Sequence, residues 1–186
     1  MRAFDFDHTI YQGYSYRDFV LFIAARRPWM LLWLPVAIFA VLLKFCRILK
    51  MKHLVEWVLF PFLRFEKIDK FIVKFWDKNE KKIGQWYKEI HRDDDIVISA
   101  TPSYFLEEIC RRLGIKYLIA TEVNRKTGKV VDPYCYRKGK LERFRMTFGE
   151  DAELDEYYTD TPADSTMLSF AKTGYIVKKG VITKVS

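Results

Sequence analysis

Near the start of the chain, two aspartates are separated by a single residue: Asp5-Phe6-Asp7-His8-Thr9 follows a short run of alternating apolar residues. Carboxylates at i and i+2 at the end of a strand can divide labour, one as nucleophile or metal ligand and the other as acid and base. A second pair occurs in Asp160-Thr161-Pro162-Ala163-Asp164, again past an apolar run and opening a helix. Four carboxylates in one cleft repel each other unless a cation is present, and a hard divalent ion with oxygen ligands, Mg²⁺ foremost, relieves that conflict. Ser99-Ala100-Thr101 puts hydroxyls near a helix start, where anions such as phosphate are favoured. Lys140, in the segment CYRKGKLERF, could neutralise phosphate oxygens as a point charge. Each piece alone has an ordinary structural reading: a solvated aspartate pair, an acid in a helix's first turn, a capping hydroxyl, a surface lysine. In this order along one chain, the four together are hard to dismiss.

The elements that must position them alternate. The first residues, MRAFDFDHTI, alternate towards a short buried strand and then stop; 95–100 (DIVISA) reads as a buried strand, and 102–113 as a helix that starts at Pro102 and stops at Gly114. Residues 117–121 (YLIAT) make another strand, 124–131 a hairpin around Thr127-Gly128, and 140–148 a helix. Strand 154–160, helix 163–172 and two closing strands complete the chain. Strands alternating with helices imply an α/β fold with a mainly parallel sheet. Residues 13–92 differ: they are helical in pattern, with Phe71, Phe75 and Trp76 at helical spacing among lysines. The expected organisation is therefore a catalytic core of residues 1–12 and 93–186 with an all-helical cap, residues 13–92, inserted after the first strand.

Charge divides along the same line. Residues 13–92 carry 16 Lys+Arg against 7 Asp+Glu, the remainder 16 against 17, so the overall +8 resides in the insertion. All five tryptophans lie there too. Cys46, Cys110 and Cys135 are odd in number and form no CxxC pair, which points to neither a disulfide framework nor a zinc site. His8, His53 and His91 have no ligand spacing. Asp5 and Asp7 interrupt any export signal, so a cytoplasmic location is expected.

In sum these motifs resemble the haloacid dehalogenase (HAD) superfamily of phosphohydrolases over nearly the whole chain. DFDHT is similar to its first motif, ISAT to its second, Lys140 to its third and DTPAD to its fourth. The branch containing phosphoserine phosphatase and phosphatidylglycerophosphatase C is the most similar, since it carries a helical cap between motifs one and two. Its third-motif pattern resembles CYRKGKLERF and selects Lys140 over Lys138, although Arg137 and Lys138 stand where Gly and Glu are usual. The resemblance implies a Rossmann-like sheet with helices on both faces. It further implies Asp5 as nucleophile, Asp7 as acid and base, and Ser99 and Lys140 as holders of the phosphoryl oxygens. Mg²⁺ would be held by Asp5, the Asp7 backbone carbonyl and Asp160, with Thr9, Thr101 and Asp164 in support. Phosphoserine phosphatases carry a glutamate nine residues after the nucleophile; here that position is Tyr14, which argues against phosphoserine.

The substrate reading rests on residues 28–43, PWMLLWLPVAIFAVLL, sixteen residues without charge. As a helix the stretch would be about 24 Å long, short of the ~30 Å hydrocarbon core. A single crossing would also separate Asp5 from Ser99, Lys140 and Asp160. The stretch is therefore expected to dip in and return, bending at Pro35, or to lie at the interface. Neighbouring Arg47, Lys50 and Lys52 suit an anionic membrane surface, giving peripheral attachment at its cytoplasmic face. The expected substrate is a membrane-lipid phosphate such as phosphatidylglycerophosphate. The alternatives are a soluble phosphatase for a small phosphorylated molecule, with the stretch buried or facing a second copy, or a non-catalytic membrane-bound regulator. Nucleic acid is not expected, because the basic residues border an apolar run instead of alternating with exposed aromatics.

Overall fold

The computed structural model describes residues 1–63 and 68–185. Six strands form one sheet: β1 (Arg2–Phe4), β2 (Ile96–Pro102), β3 (Tyr117–Thr121), β4 (Glu156–Thr159), β5 (Thr173–Lys178) and β6 (Val181–Lys184). Their spatial order is β3-β2-β1-β4-β5-β6, with β6 antiparallel and every other pairing parallel. The mainly parallel α/β sheet expected from the sequence is thus present. β1 is flanked by β2 and β4, so the chain winds outward in both directions from the centre. That central position is where open α/β sheets bind ligands, beyond the carboxyl ends of the strands.

Period-2 alternation supplies both faces of the sheet. Phe4, Val97 and Tyr158 enter one apolar cluster, whereas Ala3, Ile96, Ile98 and Tyr157 enter a second on the opposite face. Helices cover both. α6 (Ser103–Leu113) lies on the first face, and α7 (Lys138–Phe148) and α8 (Ser165–Phe170) on the second. α6 begins one residue later than the sequence suggested, because Pro102 still belongs to β2; it ends as expected at Gly114, left-handed at φ 73°. The helix expected over 163–172 is shorter. A 3₁₀ turn, Pro162–Asp164, takes its first residues and extended Ala171 ends it.

Residues between β1 and β2 form α1 (Ser15–Ala24), α2 (Leu34–Phe45), α3 (Met51–Leu63), α4 (Ile68–Asn79) and α5 (Gln85–Ile90). They divide into two behaviours. Phe19, Ile23, Ile72, Phe75, Trp76 and Tyr87 from α1, α4 and α5 share one core with Phe4, Val97 and Phe105. Trp76 is fully buried and its indole N–H donates to the Phe105 carbonyl at 3.0 Å, anchoring the insertion on α6. Arg112 of α6 adds charge-assisted bonds to Asp77 and Glu80. By contrast, α2 and α3 pack mainly on each other. The apolar stretch 28–43 is broken into a 3₁₀ turn, Pro28–Trp33, and α2, with Pro35 in its first turn, where a missing N–H costs nothing. Ile38, Phe39, Val41, Leu42 and Phe45 of α2 are exposed. Among the described residues no helix is long and apolar enough to cross a membrane.

At the far edge, β5 and β6 are joined by Lys179-Gly180, both at positive φ (51° and 84°), the two-residue turn whose twist matches a hairpin. All four residues of β6 are exposed.

Candidate active site

Parallel pairing puts the carboxyl ends of β1, β2 and β4 side by side, and three of the four motifs leave the sheet there, while Lys140 reaches them from the first turn of α7. Asp5 is the first residue past β1, its N–H donating to the Tyr158 carbonyl at 2.8 Å. The chain then turns tightly: Tyr11 N–H donates to Phe6 O, and His8, at φ 58°, donates to Gly13 O. This turn aims Asp7 back over the strand end. One Asp7 oxygen accepts the Ser15 N–H at 2.8 Å, capping the first turn of α1. The other accepts the Thr101 hydroxyl at 2.8 Å. Ser99 is buried within β2, at a break in register, and its hydroxyl accepts the Thr101 N–H at 3.1 Å.

Lys140 is only 3% exposed and lies between two carboxylates. Its ammonium donates to Asp5 Oδ1 at 2.9 Å, to Asp164 Oδ2 at 2.6 Å and to the Tyr157 hydroxyl at 3.2 Å. Asp164 Oδ2 also accepts from Tyr157 (2.9 Å) and Thr159 (3.1 Å). Burial opposes the lysine's charge, but Asp5, Tyr157 and Asp164 outweigh it and hold the ammonium well above its ordinary pKa. Lys138, in contrast, is exposed, so Lys140 is the lysine that reaches the carboxylates.

Burial pushes the Asp5 carboxyl up to about 7, with Lys140 opposing and Asp164 and Asp7 reinforcing. Asp7 is raised by burial as well, with the Ser15 and Thr101 bonds pulling it partly back. Asp160, half-buried at the mouth, is also raised by burial. An acid raised in this way can hold a proton to give, as acid–base chemistry near neutral pH requires.

These groups share one cavity of about 570 Å³. Asp5, Asp7, Ser99, Thr101, Lys140, Asp160 and Asp164 all line it; Thr9 is buried behind it and does not. Sequence reasoning missed Tyr157 and Thr159, which fix Asp164. Their i, i+2 spacing just before Asp160 puts them on one face of β4 and was the available signal. Of the walls it singled out only Tyr14, and missed Tyr16, α3 and the loop at Tyr134 and Tyr136.

Among the described residues no three His, Cys, Asp or Glu side chains form a metal-holding cluster. The Asp7 carboxylate is turned to Ser15 and Thr101. Asp5 and Asp160, with the backbone carbonyl at Asp7, leave an all-oxygen donor set of the kind Mg²⁺ takes when it keeps several waters.

Gly139 shows how tightly α7 is seated. A Cβ there would fall 1.9 Å from the Tyr134 carbonyl oxygen. Gly139→Ala is expected to displace the start of α7 and with it Lys140, destabilising the fold by about 1–3 kcal/mol. Thermal unfolding with parallel activity measurement checks this; an unchanged Tm would refute it.

The sequence matches the family model of haloacid dehalogenase-like hydrolases over residues 3–169. No curated protein matches it significantly. Among solved structures, a protein of unknown function from Bordetella pertussis Tohama I aligns with a TM-score of 0.75 at 20% identity, covering 94% of this chain and 87% of that one. A phosphoserine phosphohydrolase-like protein from Francisella tularensis gives 0.62 at 15% identity, covering 97% and 89%. A substrate-bound phosphoserine phosphatase gives 0.59 at 16% identity, covering 92% and 82%. At such identities the likeness is one of fold. The family match spans most of the chain, and the solved structures share its fold: the chain belongs to the haloacid dehalogenase-like hydrolases.

Proposed function

We propose that this hydrolase cleaves phosphomonoesters through an aspartyl-phosphate, requires Mg²⁺, and acts on a membrane-lipid phosphate such as phosphatidylglycerophosphate. The observation that carries the chemistry is the buried chain Asp5–Lys140–Asp164 at the floor of the cavity, with Asp7 held across from it by Ser15 and Thr101.

In this reading an Asp5 carboxylate oxygen attacks phosphorus and the ester P–O bond breaks. Asp7 gives its proton to the leaving oxygen. It then takes a proton from the water that attacks the aspartyl-phosphate, releasing inorganic phosphate and restoring Asp5. Ser99 and Lys140 hold phosphoryl oxygens, while Asp164 positions Lys140 and Thr101 positions Asp7. Mg²⁺, when bound by Asp5, the Asp7 carbonyl and Asp160, offsets negative charge on the transferring group.

The lipid part of the reading is supported by α2. Phe45 is 86% exposed, and Leu32 and Ile48, which flank α2 in the chain, are exposed as well. So many exposed large apolar side chains on one short segment favour an interaction site. Arg26, Arg27, Lys44, Arg47 and Lys50 border it, whereas Lys52 is paired with Asp132. Cations beside an apolar helix favour an anionic bilayer. With these side chains exposed in the single chain, the small-metabolite alternative rests on a second copy covering α2.

The test is phosphate release from phosphatidylglycerophosphate in anionic vesicles and from soluble phosphoesters, with Mg²⁺ and with chelator. Preference for the vesicle substrate, lost in chelator, is the expected result. Release only from soluble esters, by protein that stays in the aqueous phase with anionic vesicles at low salt, would overturn the lipid reading and keep the chemistry.

A further inference from the structure

The charged side chains that line the catalytic cavity come from the motifs at the strand ends, and the wall opposite them is of a different character. α3 turns Met51, Leu54 and Val55 into the cavity. Tyr16 stands beside them with its hydroxyl already bonded to that of Tyr104 at 2.7 Å. Tyr134 and Tyr136, stacked at 5.7 Å, complete the far side. His8, beside the motif carboxylates, has its ring edge-on to Tyr14 at 4.2 Å. No Lys, Arg, Asp or Glu among the described residues enters the cavity from α1, α3 or the tyrosine loop.

We infer that Met51, Leu54 and Val55 select the leaving group, favouring phosphomonoesters whose organic part beside the phosphoryl group carries no charge, alkyl or glyceryl, over amino-acid phosphates. The inference rests on the phosphatase reading and gives its site a substrate class. The physical reason is asymmetric. An ammonium or carboxylate on the leaving group would lose water against this wall and gain no partner, a large penalty for an ion. A methylene on the same wall gains about 0.8 kcal/mol, roughly fourfold in kcat/KM.

A series of soluble n-alkyl phosphates from methyl to hexyl, with O-phosphoserine alongside, reads this directly. The expected result is kcat/KM rising roughly fourfold for each of the first methylenes, the gain residing mainly in KM, with phosphoserine below ethyl phosphate. Leu54→Lys is expected to flatten the series, lowering the hexyl-to-methyl ratio at least tenfold, while Leu54→Met restores it. Circular dichroism and Tm show whether each variant is folded. A flat series in the unmodified protein, or phosphoserine above hexyl phosphate, overturns the inference alone. An unchanged hexyl-to-methyl ratio in folded Leu54→Lys overturns the role of the α3 wall. Absence of release from every ester overturns the inference together with the phosphatase reading beneath it.

Discussion

Asp5→Asn is expected to lower phosphate release by about four orders of magnitude or more, the scale of losing a nucleophile, and to leave the fold intact. The two halves of this result come from the same geometry. Asparagine is close to isosteric but its amide cannot attack phosphorus and carry a phosphoryl group. Its side chain still reaches Lys140, through the amide oxygen in place of Oδ1, which lies 2.9 Å from the ammonium. The native carboxyl is disfavoured as an anion by its burial, so removing the charge costs the folded state little. The measurement pairs release from a chromogenic phosphate ester with thermal unfolding. Activity within tenfold of the native protein would remove Asp5 from the nucleophile's role. Loss of both activity and folding would make its role structural.

Lys140→Met should act differently, abolishing turnover and also destabilising the protein. Asp5 and Asp164 both take a hydrogen bond from this ammonium, and without it two buried carboxylates lose their cation. Breaking one side of a buried ionic group costs about 3–5 kcal/mol. For a domain of this size that is a fall in Tm of roughly 10 °C. In chelator, the sign of the pH dependence is fixed by the Asp5 carboxyl. With the ammonium present, burial raises its folded value to about 7 against the lowering by Lys140, and losing Lys140 raises it further. The variant's deficit is therefore largest at alkaline pH and shrinks as pH falls towards 7. Adding Asp164→Asn to Lys140→Met should recover much of the Tm and none of the activity. Recovery of activity by the double variant would show that Lys140 is needed only to balance charge.

Local pattern made several elements readable before any coordinates. Residues 117–121 form a strand with the bounds the sequence gives, because a mostly apolar run holding Tyr117, Ile119 and Thr121 sits between a glycine-terminated helix and a polar turn. The strand-end location of the three aspartate and hydroxyl motifs followed from parallel topology alone. Where Pro28–Leu43 breaks was half legible: Pro35 marks the place, but the 3₁₀ turn before it depends on contacts such as that of Trp33 with the Trp57 carbonyl. The cavity walls were not legible. Met51 and Tyr134 lie far apart in sequence and meet only because α3 and the loop before α7 converge over the strand ends. The seat of Lys140 was equally hidden, since it depends on Gly139 passing against the Tyr134 carbonyl and on Arg137 taking φ 52°.

Hairpin β5–β6 bears on how this protein behaves when concentrated. A strand with a free side offers a row of unpaired N–H and C=O groups, a template on which another molecule can add. Here the last strand is short, fully exposed and ends in Lys184, with Lys178 and Lys179 at the opposite end. Two such edges brought together would set lysines against lysines before any backbone bond could form. The sheet is thus self-terminating at this border, and that protection should fade first in high salt or after lysine acetylation, when like-charge repulsion is screened or removed.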